Sequence, residues 1–290
     1  MPTEKIFENT EVAFALKSDS DLERAYFLFK MIASEPLVKI GTAATKFALN
    51  INLPVEGLIR STVFDHFCGG VNEEDCLPTV DKLYEAGVHA VLDYSVEGKE
   101  TQAQFDKTLA KVNELTAFAD EKDAMPFSVF KPTGLGRFKI WQKKSAGDAL
   151  STEEQAEWDA IVARYESACQ KAVAHDVALL IDGEESWMQD AADELVTQMM
   201  QKYNKEKPLI FNTLQCYRWD RLDYLKELHL EARAKGYKLA FKIVRGAYME
   251  KENDRAEELG YPSPICASKA QTDATFNDTL RYILQNLDDI

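Results

Sequence analysis

The chain has 290 residues, with 34 lysines and arginines against 49 aspartates and glutamates, a formal net charge of −15. An acidic surface of that size repels a phosphate backbone and argues against nucleic acid as a partner. Hydrophobic residues make up 46% and charged residues 29%, which excludes disorder as the global state. No apolar run reaches the roughly 18–20 residues of a membrane span. Met1–Lys5 follows neither a signal-peptide nor a transit-peptide plan, so a soluble, cytoplasmic chain is expected. The five cysteines, Cys68, Cys76, Cys169, Cys216 and Cys266, are scattered without a C-x-x-C pair, as in a reducing compartment. The four histidines, His66, His89, His175 and His229, show neither H-x-H nor H-E-x-x-H spacing, and no metal site is expected.

In chain order, residues 1–60 read as a helical arm or cap. Leu22, Tyr26, Phe29 and Leu37 share an apolar face, Phe47, Leu49 and Ile51 follow, and Pro36 and Pro54 punctuate the segment. From about residue 88 the texture changes to short apolar runs: His89–Tyr94, Phe127–Phe130, Val177–Ile181, Leu209–Phe211 and Leu239–Val244. Their length and their β-branched or aromatic content suit buried parallel strands. Helical stripes lie between them: Phe105, Leu109, Val112 and Leu115; Trp158, Ile161, Tyr165 and Ala168; Leu222, Leu225 and Leu228; Phe276, Leu280, Ile283 and Leu287. This alternation predicts an α/β protein built on a parallel sheet, leaving the doubly wound sheet and the (β/α)8 barrel open. Gly134-Leu135-Gly136 lacks the third glycine of a dinucleotide turn, and no phosphate loop occurs. Residues 132–155 are long for a loop, which makes them a candidate mobile lid.

The informative pattern is what ends each run. Lys131 follows the second, Asp182 and the turning Gly183 the third, and Gln215 the fourth. Lys242 lies within the fifth, and Arg245-Gly246-Ala247-Tyr248 ends it. One polar strand end is most simply solvated; four in succession with mixed charge point to a site, because a barrel gathers them at its carboxyl-terminal rim. Lys131, Lys242 and Arg245 form a cationic cluster suited to a carboxylate, a phosphate or a reduced flavin, with Asp182 to orient a lysine. No nucleophile is paired with a histidine. Glu184 and Glu185 are adjacent, so on an extended segment they point to opposite sides rather than forming a carboxylate pair. Without metal, triad or carboxylate pair, the hard chemical step falls to an organic cofactor.

Phe130-Lys-Pro-Thr-Gly-Leu-Gly-Arg137, Leu180-Ile-Asp-Gly-Glu-Glu-Ser186, Ile210-Phe-Asn-Thr-Leu-Gln-Cys-Tyr217 and Lys242-Ile-Val-Arg-Gly-Ala-Tyr248 resemble the proline dehydrogenase family, in the same order. Asp93–Gly98 and Glu258–Pro264 extend the likeness, which runs from about residue 60 to the end and is nearest to the monofunctional, mitochondrial-like branch. The resemblance implies a distorted (β/α)8 barrel over residues 61–290, with about five of the eight strand–helix units. It also implies FAD as cofactor, oxidation of L-proline to Δ1-pyrroline-5-carboxylate, and electrons passed to a quinone through peripheral contact with the inner membrane. By the same resemblance Lys131 meets the substrate carboxylate with Asp182 beside it, and Tyr248 packs on the substrate ring. Gln215, Lys242, Val244, Arg245 and Ala247 face the flavin, and Lys269 lies near its phosphates. Lys242 stands where many members have arginine, keeping the charge and losing the fork. Family members continue through three more strands and a helix bearing paired arginines, so this chain is expected to be a fragment that binds flavin weakly and turns over poorly. The alternatives are another flavin barrel of the methylenetetrahydrofolate reductase kind and an inactive fragment or scaffold.

Overall fold

A computed structural model describes residues 8–51, 53–55, 57, 60–94, 98 and 100–290. The chain divides into two compact units, residues 1–89 and 90–290. In the first unit, helix α1 (Asp19–Ile32) starts on a reciprocal cap between Ser18 and Asp21, and α2 (Glu35–Asn50) follows it. A short helix over Thr10–Ala13 precedes them, and a π turn over Arg60–Phe64, a single helical turn over Asp65–Phe67 and α3 (Glu73–Glu85) follow. The unit reaches past residue 60 because Phe29 on α1 sets its ring edge-on to His66 and Phe67, at 5.3 and 6.1 Å. The apolar face read from the sequence is displaced. Leu28 is the buried residue of α1, whereas Tyr26, Phe29 and Leu37 are exposed.

The second unit carries a four-stranded, wholly parallel sheet: β1 (Phe127–Phe130), β2 (Ala178–Ile181), β3 (Ile210–Gln215) and β4 (Phe241–Val244), in the spatial order of the sequence. Sequential order with a helical crossover at every step is the winding of a barrel wall. A doubly wound sheet reverses its order at a switch point. The crossovers contain α4 (Gln102–Asp120) before β1, then α5 (Phe138–Ala146) and α6 (Thr152–Ala174), α7 (Ser186–Tyr203), and α8 (Arg221–Lys235). After β4 come α9 (Met249–Leu259) and α10 (Lys269–Leu284). The core lies between strands and helices, where Phe130 meets Tyr165 edge-on at 5.0 Å and Tyr165 meets Trp141 at 5.5 Å.

Local chemistry fixes these boundaries. Thr101 with Gln104, and Ser151 with Glu154, form reciprocal caps at the starts of α4 and α6. Asn204, wholly buried after α7, accepts from Leu209 N–H at 3.0 Å and Ile210 N–H at 2.9 Å, and donates to the Ile210 carbonyl at 2.8 Å. One side chain thus substitutes for a missing strand neighbour at the entry to β3.

Four sequence expectations need correction. Residues 89–94 form no strand among the described residues: Ala90 N–H reaches the Ala124 carbonyl at 2.9 Å, but Val91 and Tyr94 are exposed and no ladder follows. The supposed lid over 132–155 is folded and packed. Pro132–Gly134 is a 3-10 turn, Leu135, Ile140 and Trp141 are buried, and Arg164 donates to the Leu135 carbonyl at 3.2 Å. Helix α7 was overlooked in the sequence, although Met188, Ala191, Leu195 and Met199 repeat at helical spacing and are all buried. On α10, Thr272 and Thr279 are buried with Phe276 and Ile283 partly so, leaving Leu280 exposed; Leu287, beyond its end, is exposed too.

Candidate functional site

The parallel registers place the strand-end residues in one transverse row. Phe130 pairs with Ile181, Leu180 with Phe211, and Thr213 with Lys242. Continuing these ladders sets Lys131, Asp182, Thr213 and Lys242 side by side. Asp182 N–H donates to the Phe130 carbonyl at 3.0 Å, and Thr213 Oγ1 donates to the Ile181 carbonyl at 2.8 Å, so the row is continuous. Register partners in a parallel sheet share a face. Lys242 Nζ donates to Asp182 Oδ1, and Lys131 Nζ lies 3.8 Å from Asp182 Oδ2. All three side chains are largely buried. Two cations flank one carboxylate, leaving a net positive charge at a half-buried strand end, where an anion is attracted strongly because water screens it poorly.

Gln215 is buried at the end of β3 and donates through Nε2 to the Glu184 carbonyl at 3.0 Å. Gly183 packs tightly there: a Cβ would stand 3.1 Å from Gln215 Cδ, and the glutamine would have to shift by a few tenths of an ångström. Val244 pairs with Gln215 across β3 and β4, and its carbonyl accepts Cys216 N–H at 2.7 Å. Arg245 does not join the Lys131–Lys242 cluster as the sequence suggested. Its Nε donates to Asp273 Oδ1 at 2.6 Å, and its guanidinium lies over the Phe276 ring at 4.9 Å, because it stands three residues from Lys242 and side chains alternate faces along a strand. Gly246 has φ +135°, and a Cβ on it would stand 2.4 Å from the Tyr217 ring. Lys269 reaches the same Asp273 at 2.5 Å, and these two cations hold that carboxyl below its usual range, Lys269 first. Ala247 is exposed and Tyr248 half-buried. A hollow of about 890 Å³ runs under the end of β4, bordered by Arg245, Gly246, Ala247, Tyr248, Cys266 and Lys269. The first turn of α10, capped by Ser268, opens onto it.

A smaller hollow of about 230 Å³ is bordered by Thr133, Phe138, Glu184, Glu185, Tyr248 and Lys251, so Tyr248 touches both. Glu184 and Glu185 take different partners, as their adjacency suggested, yet they line the same hollow. Glu185 accepts from Lys251, while Glu184 accepts from Thr133 N–H at 2.8 Å and Thr133 Oγ1 at 2.7 Å. Burial pushes the Glu184 carboxyl up to about 7. Sequence reasoning missed Glu184 because it weighed the residue as half of a catalytic pair. Its position two residues past a strand-end aspartate was the available signal.

Beneath this rim Glu184 N–H donates to Gln189 Oε1 at 2.8 Å, and Gln189 Nε2 donates to Asp193 Oδ1 at 2.8 Å. Asp193 also accepts from Asn212 Nδ2 at 2.9 Å and Arg221 Nη1 at 3.0 Å, all inside the protein. This buried chain locks α7 and α8 to β3 under the site.

With this geometry in place, comparison with known proteins is decisive: a profile of the family described as proline dehydrogenase matches residues 76–290. The chain belongs to the proline dehydrogenase family. The carbapenem antibiotics biosynthesis protein CarD of Pectobacterium carotovorum subsp. carotovorum is 33% identical over 81% of this chain and 61% of its own length. Mitochondrial proline dehydrogenase 1 of Arabidopsis thaliana is 26% identical over 98% of this chain and 67% of its own. Its human counterpart is 39% identical over 48% of this chain and 23% of its own. The chain thus spans between about a quarter and two-thirds of these relatives. Proline utilization A from Bdellovibrio bacteriovorus superposes with a TM-score of 0.69 at 21% identity, over 81% of this chain and 26% of that one. That likeness is one of fold, and it makes the four-stranded wall an arc of a proline dehydrogenase barrel. Among the described residues no helix is long and apolar enough to cross a membrane.

Proposed function

We propose that this proline dehydrogenase family member serves the FAD-dependent oxidation of L-proline to Δ1-pyrroline-5-carboxylate. The observation that carries the reading is the row in which Lys131 and Lys242 flank Asp182 at the ends of the family's strands. A compact amino acid anion is matched by such a row. Lys131 receives the substrate carboxylate, Asp182 balances the two lysines, and Tyr248, at the junction of the two hollows, packs on the ring.

The residues fit the cofactor. The 890 Å³ hollow is in the range of small-molecule sites, and two cations share one carboxylate at its mouth. The positive end of α10, capped by Ser268, adds a second anion-attracting element. Arg245 and Lys269 would hold the phosphates, and Gln215, Lys242, Val244 and Ala247 the ring system. FAD, when bound, supplies the two-electron acceptor for hydride leaving the ring carbon next to nitrogen. Around it the chain's own residues orient the proline ring and exclude water. A quinone, reached by peripheral contact with the inner membrane, would be the onward electron acceptor.

The test is the visible absorbance spectrum of the purified chain supplied with FAD, taken anaerobically. Bleaching by L-proline, and not by methyltetrahydrofolate, supports the reading. Bleaching by the folate alone would mark a different flavin barrel. No flavin retention and no proline-dependent dye reduction would mark a non-catalytic scaffold. Hydroxyproline belongs among the substrates tried, since the hydroxyproline dehydrogenase of Xenopus laevis is 26% identical over 93% of this chain.

A further inference from the structure

Lys131 and Lys242 are held in different ways. Lys242 is hydrogen-bonded to Asp182, whereas Lys131 stands 3.8 Å from it, beyond hydrogen-bonding reach. Among the described residues no hydrogen bond holds the Lys131 ammonium, so its aim is set by its backbone. That backbone leaves β1 through Pro132, whose ring fixes φ, and passes directly to Thr133. Thr133 is gripped at two points, N–H and hydroxyl, by the two carboxylate oxygens of Glu184. Glu184 is itself immobilised: its N–H is given to Gln189 on α7, and its carbonyl receives Gln215 on β3. It is 3% exposed, so the grip operates where competing water is scarce. A neutral amide at this position would offer Thr133 one acceptor where two donors arrive.

We propose that Glu184 is a positioning residue that aims Lys131 by clamping the turn after β1 to the rigid end of β2. The clamp follows from the geometry alone; that the group being aimed at is the substrate carboxylate rests on the function proposed above. Without the clamp, the Lys131 ammonium samples several rotamers and the anion site loses its fixed cation.

Two measurements separate the clamp from the substrate. Reductive methylation with carbon-13 gives every lysine amine its own NMR signal, and the Lys131 signal is the one lost in Lys131→Met. Glu184→Gln and Thr133→Val are then compared. Read at pH 9, above the range of the Glu184 carboxyl, Thr133→Val removes the hydroxyl donor while Glu184 stays ionised, so a shift there reports aim rather than charge. The expected result is a shifted or broadened Lys131 signal in both variants, with the Lys207 signal unmoved. An unmoved Lys131 signal in Thr133→Val overturns the proposal, even if Glu184→Gln fails to fold.

Calorimetric titration with L-proline supplies the second measurement. Each variant is expected to bind proline about five- to tenfold more weakly, the loss of one charge-assisted bond. In a Lys131→Met background neither is expected to weaken it further. An undiminished effect in that background overturns the clamp, since Glu184 would then be acting through something other than Lys131. If the unsubstituted chain binds no proline, the proposed substrate is wrong, and the NMR comparison alone decides the clamp.

Discussion

Lys242 reaches Asp182 across the full width of β3, so one ion pair ties the second strand of the wall to the fourth. The strand between them contributes Thr213 at the same level, and its hydroxyl bonds back to the strand of Asp182. The pair therefore staples the carboxyl-terminal rim while committing Lys242 to a partner inside the protein. Lys131, on the other side of Asp182, has no hydrogen-bonded partner among the described residues.

That asymmetry makes the two lysines unequal toward an anion. Lys131→Met is expected to weaken L-proline binding at least about tenfold, the scale of a lost charge-assisted contact. Lys242→Met should weaken it less, because its donor is already engaged, while lowering thermal stability through the loss of Asp182's hydrogen-bonded partner. Titration of both variants with L-proline, beside their melting curves, checks the order. Equal losses of affinity would mean that both lysines contact the ligand.

Gly246→Ala tests the turn that follows Arg245. The backbone stands at φ +135°, and the added Cβ would fall inside the ring of buried Tyr217. Neither element can yield easily: Tyr217 N–H bonds the Arg245 carbonyl at 2.6 Å, and the Tyr217 carbonyl accepts Cys266 N–H at 2.7 Å. A loss of about 2 kcal/mol or more in urea denaturation is expected. Flavin retention should fall with it, since the same turn borders the larger hollow.

Asn204→Ala addresses the wall rather than the site. Its side chain serves two buried N–H donors and one carbonyl at the entry to β3. Truncation leaves three main-chain groups without partners, at a cost of about 3 kcal/mol or more. The urea midpoint should fall while its slope stays constant, as expected if the surface exposed on unfolding is unchanged.

The strands β1 to β4 were legible because each is a short β-branched or aromatic run closed by a polar residue, a pattern that depends on local sequence alone. His89–Tyr94 has the same texture and fails, since pairing requires a neighbouring edge that the sequence of the run does not encode. Helix α5 was hidden by the glycines before it, which read as a loop although Ile140 and Trp141 carry its buried face. The strand-end residues Lys131, Asp182, Gln215 and Lys242 were visible as a set. Their partners were not, because register decides that Asp182 faces both lysines, and the packing of α10 against the end of β4 decides that Arg245 faces Asp273. Glu184 was visible as a letter, whereas its importance lies in burial and in two bonds to a residue 51 positions earlier.

Glu184 also gives the fold a pH dependence of definite sign. Burial first, and the neighbouring Glu185 charge, raise its carboxyl from the ordinary 4.5 to about 7, against the opposing pull of the Thr133 donors and Lys131. Buried Tyr165, from α6, senses the Glu184 charge, and Lys251 on α9 is engaged by Glu185. Between about 4.5 and 7 the folded chain retains a proton that the unfolded chain has released, so stability falls as pH rises through that interval and levels off above it. The full difference is on the order of 3 kcal/mol, an upper bound set by the shift. Glu184→Gln cannot ionise and should lose this component. Urea midpoints for both proteins at several pH values from 5 to 8 are therefore expected to converge as pH rises, with the unsubstituted chain showing the steeper decline. Parallel declines would show that Glu184 does not hold its proton in the folded state.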